Sequence, residues 1–118
     1  MYRWYLPQLW YPLSHYLYLV GYVARTNPET RFKMKVQSRL ASIPLLWIVK
    51  IQQVALRGIP DLIICYRGKF FAWELKVGKN DVTQLQQHVL NNITKAGGVA
   101  RVVTPENLDE CIEELLYG

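Results

Sequence analysis

Asp61, Glu74 and Lys76 interrupt a stretch that otherwise reads as buried strand, GIPDLIICYRGKFFAWELK over residues 58–76. The dipeptide Arg67-Gly68 is a turn signal, and it makes DLIICY and KFFAWELKV the two arms of a β-hairpin. With those two residues at the turn, Tyr66 faces Lys69, and counting outward sets Asp61 directly opposite Glu74. Their Cβ atoms would then stand about 4.5–5.5 Å apart on one face. Strand alternation adds Lys76 to that face and sends Trp73 and Leu75 to the other. Two carboxylates so placed repel unless a positive charge lies between them, and oxygen ligands of this kind suit a hard divalent cation such as Mg²⁺. A surface hairpin with a Glu74–Lys76 pair in water is the plainer alternative. It accounts less well for Ile63 and Ala72, which share the same face. Burial with no cation would instead raise the pKa of one carboxylate.

The elements that must hold this hairpin are legible on either side of it. RTNPETRFKMKVQSRLASIP predicts a helix: Thr26 or Asn27 can cap it, Pro28 suits its first turn, and Phe32, Val36 and Leu40 recur every four residues before Pro44. Glu29 projects near the buried edge of that helix. LLWIVKIQQVAL, residues 45–56, predicts a strand. Beyond the hairpin, DVTQLQQHVLNNITKAGG predicts a helix capped by Thr83, with Leu85, Val89, Ile93 and Ala96 on one face and Gly97-Gly98 as its stop. VARVV predicts a further strand, and TPENLDECIEELL a closing helix with Thr104 as cap and Pro105 in its first turn. The order α, β, β, β, α, β, α, with a parallel crossover near its end, defines an α/β fold.

The chain has 118 residues, enough for one modest core, and its 51% hydrophobic and 19% charged content excludes disorder. The net charge of +5 is unevenly spread: residues 1–60 carry eight Lys/Arg against one acid, while residues 61–118 carry six against eight. A basic half suits a polyanion such as nucleic acid, with a basic solvated face as the alternative. Cys65 and Cys111 are too few for a disulfide framework, so both read as small buried hydrophobes in a reducing, cytoplasmic compartment. Residues 1–24 hold eight of the fifteen aromatics. Pro7, Gln8, Pro12, Ser14 and His15 argue against a membrane span there, and a lone Arg3 with no cleavage pattern argues against a signal peptide. Leu13 to Ala24 reads instead as an added helix that covers the core or a subunit partner, or as a tyrosine-rich face that stacks on bases.

GIPDLI, WELK, TQLQ and AGGVARVV together resemble the small VRR-NUC domain of the PD-(D/E)xK nuclease superfamily, in its stand-alone phage and bacterial form. The likeness covers about residues 29–108 and leaves residues 1–28 as an aromatic-rich extension ahead of a nuclease-like domain, 29–118. It implies a restriction-endonuclease-like αβββαβ core, a central mixed sheet flanked by helices. Asp61 and Glu74 would be metal ligands, with the Leu75 carbonyl completing the protein's share of the shell. Lys76 would orient the attacking water and stabilise charge on the phosphate. Glu29 matches a helix glutamate that reaches the metal, and Gln86 the family's glutamine. Thr26-Asn27-Pro28-Glu29 and Thr83-Gln84-Leu85-Gln86 also read as capping boxes, which leaves a structural alternative open for both. Lys50, Gln52, Gln53 and Arg57 are candidate phosphate contacts, with an exposed strand edge as the plainer alternative, and His88 reads as a surface residue.

The resemblance thus implies a Mg²⁺-dependent endonuclease, with Mn²⁺ able to substitute, acting on DNA without a small-molecule cofactor. A domain this small cannot surround a duplex, so it cuts one strand or works as a homodimer. Stand-alone relatives are associated with homodimers and branched DNA such as four-way (Holliday) junctions. The rival reading is a non-catalytic DNA-binding module on the same fold.

Overall fold

The computed structural model describes residues 27–52 and 57–118. Gln53 and the aromatic extension with its expected helix lie outside the described residues. The chain divides into two compact units, Met1–Leu46 and Trp47–Gly118.

In the first unit, helix α1 spans Pro28–Ala41. Asn27 caps it, its side chain accepting the Thr30 N–H at 2.8 Å, and Pro28 takes the first helical position, where no N–H is needed. Phe32, Val36, Leu40 and Ala41 form its buried stripe. Leu45, at φ 61°, sits in the turn that follows, which is why the strand expected from residue 45 begins only at Trp47.

In the second unit, β1 (Trp47–Lys50), β2 (Leu62–Tyr66), β3 (Lys69–Leu75) and β4 (Val99–Val103) form one mixed sheet in the order β1-β2-β3-β4. The first three are antiparallel and β4 runs parallel to β3, joined by the crossover helix α2, Gln84–Lys95. Helix α3, Leu108–Tyr117, closes the unit. The hairpin has the expected two-residue turn: Arg67 and Gly68 both have positive φ, 52° and 77°, as a type I′ turn requires. Tyr66 therefore faces Lys69, and Leu62 faces Trp73.

Phe71, Trp73, Leu75 and Val103 are buried together on one face of the sheet, where α3 contributes Leu108, Cys111, Ile112 and Leu115. Arg101 on that face reaches Glu114 of α3 at 2.6 Å. Burial pushes the Cys111 thiol up, helped by the Glu114 carboxylate, so the thiol stays protonated near neutrality. Cys65, by contrast, is exposed. It lies on the opposite face between Trp47 and Phe70, which are themselves 41% and 46% exposed. Among the described residues no helix is long and apolar enough to cross a membrane.

Two further details depart from the sequence reading. In α2 the inward stripe is Gln86, Val89, Leu90 and Ile93, so Val89 and Ile93 face inward as expected, whereas Leu85 is 45% exposed and Ala96 is exposed. The helix is turned so that a polar residue, Gln86, faces the sheet. The closing helix starts at Leu108 after Asn107, not after Thr104. Thr104 and Asn107 instead bond to each other across Pro105 and Glu106, closing a turn ahead of the helix.

Candidate functional site

At the open end of the hairpin, opposite its turn, the sheet carries charge. Glu74 is only 4% exposed and is the single buried charged residue among those described. It pairs with Val102 of β4 one step from the end of the parallel ladder, where an aliphatic residue would be expected in a purely structural sheet. The solvated-hairpin alternative therefore fails for Glu74. Asp61 lies one residue before β2, at the next step of the register after Leu62 and Trp73. Its carbonyl accepts the Ile51 N–H at 2.8 Å, and its Oδ2 accepts the Leu75 N–H at 2.8 Å. That charge-assisted bond, worth on the order of 1.5–3 kcal/mol, ties the Asp61 carboxylate to the end of β3, beside Glu74.

The loop carrying Asp61 is held by its glycine. Gly58 has φ +80°, and a Cβ there would come within 2.8 Å of Leu85 Cγ and 3.1 Å of the Leu85 carbonyl oxygen. Only glycine both adopts that conformation freely and lets the loop lie against the first turn of α2. Pro60, fully buried, follows. GIPD is thus a clamp that sets Asp61 and the start of α2 side by side.

Lys76 continues β3: its N–H donates to the Val103 carbonyl at 2.9 Å, and its Nζ stands 3.8 Å from Glu74 Oε1. Gln86 reaches the same oxygen, donating from Nε2 at 3.1 Å. It also forms a complete capping box, with Oε1 accepting the Thr83 N–H at 2.9 Å and its own N–H donating to Thr83 Oγ1 at 3.1 Å. The two readings of Gln86 are therefore compatible: one end of its amide caps α2 and the other meets Glu74. Glu74 Oε2 is buried and accepts no hydrogen bond from the described residues.

Four sequence candidates, Asp61, Glu74, Lys76 and Gln86, thus come together with the last residue of β3, Leu75. Glu29 belongs to the other unit, where its side chain is half exposed and pairs with Lys33 at 3.2 Å. Because Asn27 is the cap, Glu29 stands at the second helical position rather than the third, so the capping-box alternative does not hold for it. Lys50, at the end of the edge strand β1, pairs with Leu62 and so lies on the Trp73 face of the sheet, opposite to Glu74, and Arg57, in the turn before Gly58, is exposed. His88 is exposed and meets Asn92 at 3.1 Å, as a surface residue would. A cleft of about 260 Å³ lies at the other end of the hairpin, lined by Tyr66, Arg67, Lys69 and the last residues of α3. It is remote from Asp61 and Glu74; an extended polymer needs a surface rather than an enclosed cavity. Thr83, read from the sequence only as a cap, also holds the oxygen end of the Gln86 amide.

Among the described residues no three of His, Cys, Asp and Glu converge. Asp61, Glu74 and the Leu75 carbonyl are all hard oxygen donors, and one or two carboxylates is the number Mg²⁺ takes while keeping several waters. The donor set fits such an ion. Comparison with protein-family models, with characterised proteins and with solved structures found no match to this chain.

Proposed function

We propose that the protein is a divalent-cation-dependent endonuclease that hydrolyses DNA phosphodiester bonds at the open end of the β2–β3 hairpin, as its resemblance to the VRR-NUC domain implies. The observation that carries this reading is the buried Glu74, set beside Asp61 and contacted through Oε1 by Gln86 and Lys76. The element order and the mixed four-stranded sheet accord with a restriction-endonuclease-like core.

Asp61, Glu74 and the Leu75 carbonyl would hold Mg²⁺, which supplies Lewis acidity: it polarises the scissile phosphate and brings the pKa of a water towards neutrality. Lys76 places a fixed positive charge where negative charge grows on phosphorus, a contribution that needs no reorganisation because Glu74 already positions it. Gln86 keeps Glu74 in one orientation. Lys50 and Arg57 contact the phosphate backbone, giving salt-dependent affinity with little sequence information. One such site cuts one strand, so a homodimer acting symmetrically on branched DNA is the assembly this chemistry suits.

The test is a cleavage assay with Mg²⁺ and with Mn²⁺ on single-stranded, duplex, flapped and four-way DNA. Cleavage that EDTA abolishes, strongest on branched substrates, is expected. Binding without cleavage of any of them under either ion would favour the non-catalytic DNA-binding module instead.

A further inference from the structure

We infer that Thr83 is a positioning residue for this site: it fixes which end of the Gln86 amide faces Glu74. The inference rests on the reading of Glu74 as part of a cation site, but its geometry stands independently. A glutamine amide has one accepting and one donating end, and rotation by half a turn exchanges them. An ionised carboxylate only accepts. Presented with the amide oxygen, Glu74 would meet a second acceptor in a nearly water-free place, since it is 4% exposed. Thr83 removes that state. Its main-chain N–H can only donate, and it holds Gln86 Oε1 at 2.9 Å. That leaves Nε2 as the end directed at Glu74 Oε1, 3.1 Å away. The Thr83 hydroxyl accepts the Gln86 main-chain N–H at 3.1 Å and so anchors the backbone that carries this side chain. Thr83 is itself exposed, so it acts on the site through Gln86.

Two halves of this lock are separable. Thr83→Ala removes the hydroxyl and keeps the main-chain donor. Thr83→Pro removes both, and the φ of −70° at this position is one proline adopts without strain. The experiment follows the Gln86 side-chain NH₂ by ¹⁵N NMR in cation-free full-length protein. In the wild type one of its protons is shifted downfield and protected from exchange. In Thr83→Pro that shift and protection are lost; in Thr83→Ala exchange quickens about fivefold, the scale of a lost cap. Should the proline chain fail to fold, the alanine chain decides. Mn²⁺ titration then links the lock to the site: Thr83→Pro weakens binding about tenfold, as loss of an outer supporting contact does. In a Gln86→Leu background the same substitution has no further effect, a non-additivity that a purely helix-stabilising role would not produce. Unchanged Gln86 NH₂ signals in the Thr83 variants would overturn the inference. A wild type that binds no Mn²⁺ would instead sink the cation site, while the NMR still reports on the lock.

Discussion

The starts of α2 and α3 share a local pattern and use it for different ends. At both, a threonine and an amide residue three positions later bond reciprocally: Thr83 with Gln86, and Thr104 with Asn107. In both, the amide oxygen is taken by the threonine N–H, and the amide nitrogen is left to point elsewhere. Asn107 Nδ2 donates to the Val102 carbonyl at 2.9 Å, joining the end of β4 to the turn before α3. Gln86 Nε2 donates to the buried Glu74 carboxylate. The motif is the same device for aiming an NH₂ group; what lies in front of that group separates a structural joint from a candidate site. The longer side chain of glutamine makes the difference possible, since it spans from helix to sheet face.

Breaking the site half of the comparison has the largest expected effect. Asp61→Ala, Glu74→Ala and Lys76→Ala should each still bind DNA but cut it at least about 100-fold more slowly, the scale of one lost electrostatic stabiliser; full rates in any two would sink their assignment. The structural half behaves otherwise. Asn107→Ala should cost about 1 kcal/mol of stability in denaturant titrations, because it leaves the part-buried Val102 carbonyl and Thr104 N–H without their partner. Cleavage per folded molecule should stay at the wild-type value, and a parallel fall in rate would show that the two turns are not functionally distinct. Gly58→Ala should cost about 1–2 kcal/mol for its left-handed backbone alone, with slower cleavage as well, because the clamp displaces Asp61 from β3. Smallest are the surface cations. Lys50→Ala and Arg57→Ala should each lower the salt dependence of DNA binding by about one unit of slope, and an unaltered slope would remove that residue from the interface.

The hairpin was legible because a two-residue turn fixes register by counting, so opposing Asp61 and Glu74 required only that Arg67 and Gly68 form the turn. The helices were legible through their caps at Asn27 and Thr83. What the sequence misplaced has a common cause. Leu85, Val89, Ile93 and Ala96 look like the apolar face of α2, but the face turned to the sheet includes Gln86, because the partner there is a buried carboxylate. Thr104 looks like a cap for the same reason that Thr83 is one, and only the side chain of Asn107 distinguishes them. Its short amide folds back onto Thr104 and Val102 instead of continuing a helix. The exposure of Cys65 was equally out of reach, since apolar neighbours in sequence do not reveal which face of a sheet is covered.

The proposed function requires that Asp61 and Glu74 hold one cation between them, and calorimetric titration of Mn²⁺ into the wild type, Asp61→Asn and Asn107→Ala separates that site from the structural turn. Asparagine can still accept the Leu75 N–H, so Asp61→Asn removes charge while keeping the local fold. A shared site gives saturable Mn²⁺ binding by the wild type and by Asn107→Ala, and its loss in Asp61→Asn. Equal Mn²⁺ binding by the wild type and Asp61→Asn would rule the shared site out.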